Sequence, residues 1–294
     1  MAEPGVRTLI APAEMTRRTG QLIHRFVLAL TLTGFTLAFV FPLYWMATGA
    51  LKSSAELADP NPTLLPRTWH PEAYGNAWTS VGLGTYFLNT LLLALGGWLF
   101  QLVIDVSAAY ALSKLRPALG NVVLGMMLAT LMLPVSALLV PTYLTVTDVP
   151  IVHANLINTP FAIWLPASAN AFNIFILKRF FDQIPAELLD SARIDGAGPL
   201  RVLVSVVLPL SRPVLAVVSI FAVVGVWKDF LWPMLVLPEP SKQPITVALN
   251  RLAEFMPANQ LLAGMVMASV PLLVIFLIFQ RHIISGLTAG SLKG

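Results

Sequence analysis

Cysteine is absent from this chain of 294 residues and charge is scarce: 11% of the residues are Asp, Glu, Lys or Arg, against 57% hydrophobic. The missing cysteines exclude disulfides and cysteine-ligated metals. The four histidines, His24, His70, His153 and His282, lie too far apart in sequence to read as a metal-ligand set. No GxxxxGK[ST] string is present to cradle a phosphate, and no carboxylate pair suited to proton abstraction or intramembrane proteolysis occurs. No catalytic residue, metal ligand or cofactor site is therefore expected, and any step driven by ATP hydrolysis would need another subunit to carry it out. A soluble domain carries about 25% charged residues. A chain this poor in charge, with a mean hydropathy of +0.79, has lipid as its solvent. The net charge of +4 does not point to nucleic acid, because the basic residues are sorted by side of the membrane.

Long apolar sequence is what the chain has in abundance. Residues 25–45, 86–111, 119–141, 156–177, 214–237 and 261–279 are each long enough to cross a hydrocarbon core, which takes roughly 20 helical residues. They predict an all-α polytopic membrane protein with six transmembrane helices. The first follows Arg17, Arg18 and Arg25, the flank of a secretory signal. Its length and the lack of a clean small-residue cleavage site make it a retained anchor. Thirteen Lys and Arg then fall on one side, among them Arg7, Lys114, Arg116, Lys178 and Arg193, and four on the other, Lys52, Arg67, Lys242 and Arg251. The positive-inside rule puts both termini and the 178–213 loop in the cytoplasm.

Residues 1–24 read as a loosely ordered cytoplasmic tail and 25–84 as the first span with its outward loop. Residues 85–285 read as the transmembrane domain proper, and 286–294 as a cytoplasmic C-terminal tail. Pro60, Pro62, Pro66 and Pro71 forbid a long regular helix in the outward loop, and Trp69 and Trp78 suit a membrane interface. Prolines also recur inside the spans, at Pro42, Pro134, Pro160, Pro166, Pro233 and Pro271. Kinks around a pathway and ordinary polytopic packing both accommodate them.

Away from the span ends, charge is confined to Asp105, Lys228 and Asp229. Asp105 falls in the inner half of its span and reads as a helix–helix polar contact, at a different depth from Lys228. An ammonium in mid-span costs about 2.5–3.5 kcal/mol on insertion scales. Lys228 therefore lines an aqueous pathway, snorkels to the outer interface or meets a carboxylate on a neighbouring helix. Trp227, Lys228, Asp229 and Phe230 are the candidate substrate-pathway residues. For Trp227, Phe230 and Trp232, stacking on a solute ring competes with interface anchoring.

The most distinctive stretch is IPAELLDSARIDGAGPLRVLVSVVLPLSRP, residues 184–213, polar and charged between two apolar spans. Pro185 followed by Glu187 and Asp190 is a helix start, since proline loses no hydrogen bond there and acids suit the dipole. Asp195-Gly196 is a stop, with glycine free to take left-handed geometry. The interval 186–194 makes about two and a half turns, with Leu188, Leu189 and Ala192 as its apolar side. Glu187, Asp190 and Arg193 are available for polar contacts. A second helical stretch ends at Leu208-Pro209-Leu210. The result is a helix–break–helix knob outside the bilayer, suited to docking, against the plainer reading of an amphipathic connector.

Glu187, Asp190, Ser191, Ala192, Asp195, Gly196, Ala197 and Pro209 together resemble the EAA loop of the membrane subunits of bacterial ABC importers. FPLYWMATGALKS (41–53), LNTLLLAL (88–95), AAYALSKLR (108–116), WKDFLWPM (227–234), ASVPLLVIFLIFQRHIISGL (268–287) and the terminal AGSLKG extend the resemblance over most of the chain. They look like the sugar-importer branch, close to the smaller permease of maltose-type transporters. Ser191 and Asp190 replace the usual Ala and Glu, and Lys228 stands where the family usually has Asn. The resemblance implies a multi-pass subunit of the bacterial inner membrane importing a sugar, oligosaccharide or related polyol. Its coupling loop, with Glu187, Leu188, Asp190, Ala192, Asp195, Gly196, Ala197 and Pro209, would seat in a cleft of the ATPase. The implied partners are a second, non-identical permease, two ATP-binding subunits and an extracytoplasmic solute-binding protein. The tail 286–294 resembles the segment that in relatives also reaches toward the ATPases. An ion-coupled secondary transporter is the alternative, and it calls for intramembrane acids and repeated halves. A membrane-embedded enzyme calls for a catalytic cluster.

Overall fold

The long apolar runs, free of mid-run charge, form helices because a backbone in lipid has to satisfy its own N–H and C=O groups. The computed structural model describes residues 18–80 and 82–289. Residues 1–17 of the expected tail, and the terminal residues 290–294, lie outside the described residues. Among the described residues the regular structure is all helical, apart from one bridge between Val149 and Ala154. Three helices are long and apolar enough to cross a membrane, or up to six spans if each bent pair counts as one.

The first span is α1 (Arg18–Gly49), which begins upstream of the expected residue 25 and absorbs Pro42. Most of its length is exposed, Phe39 and Leu22 among the side chains. It meets the bundle at its C-terminal end, where a Cβ on Gly49 would come within 2.7 Å of Leu262. The outward loop carries only α2 (Ser54–Leu57) and α3 (Glu72–Ser80), as its prolines require. It is nonetheless ordered around Lys52, which is buried, donates to the Thr63 carbonyl and lies 4.5 Å over the Trp45 ring. The Thr63 hydroxyl, the Arg67 backbone N–H and the Lys52 charge hold the Glu56 carboxyl below its ordinary value. Trp69 and Trp78 remain exposed, as an interface position demands.

The second span is α4 (Leu83–Leu115), whose last turn, Ala111–Leu115, is π-helical. The expected single crossing at 119–141 is instead two helices, α5 (Gly120–Thr130) and α6 (Val135–Thr147), bent by 111°. Pro134 is the physical reason: it is extended, with φ −64° and ψ 135°, and a proline disfavours helix in the residue before it. With 11 residues, α5 reaches about 16 Å, half a bilayer core. The fourth span is likewise α7 (Phe161–Ala167) plus α8 (Ala171–Asp182), bent by 47°.

The connecting segment holds α9 (Ala186–Ile194) and α10 (Pro199–Leu210). An 87° turn at Ser211 leads into α11 (Arg212–Lys228), followed after a break by α12 (Leu231–Val236). A short helix not read from the sequence, α13 (Ile245–Leu252), precedes α14 (Ala258–Ala289), which contains Pro271 and runs into the expected C-terminal tail. α4 is the central post, packed against α7, α8, α11 and α13. One core cluster joins Tyr110 of α4, Leu177 and Phe181 of α8, Leu189 of α9, Val202 and Val207 of α10, and Val214 of α11. The loop segment is therefore built into the same core as the spans.

Candidate functional site

Two features carry the chemistry, a knob at one end of the bundle and a cavity in its side. The knob begins at Pro185, the extended residue before α9, with exposed Glu187 in the first turn. Gly196 takes φ +80°, the left-handed value read from its position after Asp195. Its N–H donates to the Arg193 carbonyl (2.9 Å) and the Ala197 N–H to the Ala192 carbonyl (3.0 Å), the double bond that closes a helix of this kind.

The expected apolar side of α9 is divided. Leu189 is buried and Ala192 and Ala197 are half-buried against the core, while Leu188 faces outward at 44% exposure. Ile194 at 87% and Leu200 at 73% join it on the surface. Asp190 and Arg193 pair with each other at 3.0 Å, and among the described residues Glu187 and Asp195 are the acids of the knob without an ion pair. Pro209 sits two residues past a π-helical turn, Leu203–Val207, whose wider winding makes room for a ring that an α-helix interior rejects. Tyr110 of α4 donates to the Pro199 carbonyl at 3.0 Å, and Lys114 to the Ile184 carbonyl at 3.1 Å, so α4 holds the chain on both sides of α9.

The cavity lies where three spans break. Leu131–Pro134 between α5 and α6, Ser168–Asn170 between α7 and α8, and Asp229–Phe230 between α11 and α12 surround two adjoining spaces of about 1130 and 640 Å³. Lys228, Asp229 and Phe230 line the larger, as does Asn170, while Gln101, Asn173 and Trp232 line the smaller. Lys228 is exposed, and among the described residues it has no hydrogen bond or ion pair. Trp227 turns the other way. It is buried, donates to the Ala268 carbonyl at 3.1 Å and meets Phe87 edge-on at 5.5 Å, so ring stacking on a solute is not open to it. Trp232 donates to the Ala162 carbonyl at 2.9 Å.

Asp105 is a helix–helix contact, as its depth suggested. Its carboxylate accepts the Asn170 N–H at 2.9 Å, and the Asn170 side chain accepts the Asn173 N–H at 3.1 Å. A break inside an apolar span exposes backbone donors, and these two side chains satisfy them. Sequence reasoning missed this break and its asparagines. The signal was present as Pro166 followed by the polar run Ser168, Asn170 and Asn173. It also missed the packed end near α13, where Arg251 donates to Gln243 at 3.1 Å and to Tyr86 at 2.9 Å. Among the described residues no group of His, Asp or Glu is placed to hold a metal.

A helical membrane bundle whose broken spans enclose a partly polar cavity, with a polar helical segment rooted in its core, suits a transport subunit. The chain belongs to the family described as binding-protein-dependent transport system inner membrane component, whose model matches residues 105–288. It is thus a multi-pass protein of the inner membrane. It is similar to the diacetylchitobiose uptake system permease protein NgcG of Streptomyces coelicolor, 29% identical over 96% of this chain and 92% of that protein. It is similar also to the sn-glycerol-3-phosphate transport system permease protein UgpE of Rhizobium meliloti, 31% identical over 84% of this chain and 90% of the other. Among solved structures, a chain of a bacterial ABC transporter involved in the import of the acidic polysaccharide alginate superposes with a TM-score of 0.79. The identity there is 26%, covering 90% of this chain and 98% of that one.

Proposed function

We propose that this chain is half of the translocation pathway of an ATP-driven importer for a carbohydrate or a related polyol, with α9 as the element that receives the motion of the ATPase. The observation that carries this reading is the knob: three apolar side chains, Leu188, Ile194 and Leu200, stand exposed on a segment rooted in the core by Leu189 and Val202. Apolar surface at the water-facing end of a membrane protein is a docking surface. A rigid helix seated in a partner's cleft moves with it, and the shared core carries that displacement into α4, α8 and α11. Glu187, Asp190, Ala192, Asp195, Gly196, Ala197 and Pro209 shape this segment. The positive-inside count places it in the cytoplasm together with both termini.

The partners are two ATP-binding subunits, one of them seated on this knob, and a second, non-identical permease closing the open side of the cavity. An extracytoplasmic binding protein delivers the solute, as the family's own description implies. Lys228, Asp229 and Phe230 face the pathway, and the names of the relatives favour saccharides as cargo. Co-purification with the ATP-binding subunit tests the docking surface. Ile194→Asp together with Leu188→Asp is expected to abolish it while membrane insertion persists, and unchanged co-purification would show that the knob is only a connector.

A further inference from the structure

A second cavity, of about 440 Å³, opens at the knob end of the bundle, where the end of α4, the start of α5 and the end of α8 converge. Arg116, Gly120, Asn121, Lys178 and Asp182 line it. Its charge is uneven. The acid, Asp182, is already engaged by the Ser113 hydroxyl at 2.7 Å and the Lys178 ammonium at 2.8 Å. Arg116 donates through Nε to the Ser113 carbonyl at 3.1 Å, and its terminal nitrogens make no bond among the described residues. Lys114 stands two residues away, on the Ile184 carbonyl.

The backbone is shaped for this arrangement. Arg116 takes φ +48°, a left-handed conformation unusual for a residue with a side chain, directly after the π-helical turn of α4. Strain of this kind collects at functional positions. The span ends that meet here put the cavity at headgroup depth, on the side where basic residues accumulate.

We infer that this cavity binds the phosphate of an anionic phospholipid headgroup, with the Arg116 guanidinium as its principal contact and Lys178 and Asn121 beside it. Basic pockets between transmembrane helices on the cytoplasmic side suit such headgroups, and a guanidinium matches phosphate geometry. Because Lys114 ties the same corner to Ile184, at the entry of α9, the lipid sits against the root of the knob and braces it.

Native mass spectrometry of the assembled transporter, titrated with phosphatidylglycerol or with phosphatidylcholine, tests this. The wild type is expected to retain phosphatidylglycerol selectively. Arg116→Gln should weaken that retention by roughly fivefold, and Arg116→Lys should recover part of it. Asn121→Leu, at an exposed position without a structural bond, provides a second reading if Arg116→Gln impairs assembly, and it too should weaken retention. Equal retention of phosphatidylglycerol by wild type and by both Arg116→Gln and Asn121→Leu would overturn the proposal. Inorganic phosphate added instead of lipid separates the sources: if it binds with the same dependence on Arg116, the ligand is a soluble anion and the lipid assignment fails.

Discussion

At the scale of single residues, polar side chains repair the backbone where helices break or pack too closely for a side chain. Asp105 holds the Asn170 N–H inside the bundle, so Asp105→Ala leaves a buried donor unpaired. A loss of about 1–3 kcal/mol follows, read as a lower thermal unfolding midpoint in detergent, whereas Asp105→Asn retains an acceptor and should lose less. Gly96 faces the Trp164 indole, and a Cβ there would lie 2.2 Å from the ring. Gly96→Ala is expected to displace Trp164 from its stack on Phe100 and its bond to the Leu93 carbonyl, lowering stability by about 1–3 kcal/mol. On the outward side, Lys242, Ser241 and Asn158 hold the Glu239 carboxyl down at about 2. A depressed carboxylate stabilises above its unfolded value and loses that contribution as pH falls toward the folded one. Hydrogen exchange at 236–243 should therefore accelerate as pH drops from 4.5 toward about 2, after correction for intrinsic exchange, and Glu239→Gln should remove this dependence.

At the scale of elements, the knob was the most legible part of the chain. Helix 186–194 and its glycine stop were readable because the signals are local: Pro185 at the start, acids in the opening turns and Gly196 at the end. Which of its leucines faces the core was not readable. Leu188 and Leu189 are adjacent in sequence, and only the packing of α9 against α10 in the shared core separates them. Gly196→Val forces a β-branched residue to φ +80° and costs about 1–2 kcal/mol. It is expected to loosen the end of α9 and reduce ATPase stimulation without blocking insertion. The bends of the third and fourth spans were less legible. Hydropathy registers apolar length and not direction, so α5 and α6 read as one crossing although Pro134 folds them apart. The short α13 stayed hidden because its apolar face, Ile245, Val247, Ala248 and Leu249, is only eight residues of helix between longer spans.

At the scale of the whole molecule, three breaks in consecutive segments, between the unbroken α4 and α14, converge on one pair of adjoining cavities. The all-helical polytopic class followed from composition, with six spans expected and three to six present depending on whether each bent pair is one span. The convergence of Leu131–Pro134, Ser168–Asn170 and Asp229–Phe230 did not, because it depends on contacts between segments far apart in sequence. The absence of native cysteine makes this arrangement directly measurable. A cysteine at Phe230 should react with a membrane-impermeant thiol reagent, while one at Trp227, buried against Ala268, should stay protected. On the proposed coupling, ATPase closure reaches this cavity through α9. The measurement that tests it most directly is binding-protein-stimulated ATP hydrolysis by the complex in liposomes, with and without Ile194→Asp in this chain. Loss of stimulation with insertion intact is the predicted result, and full stimulation in the variant would contradict the account.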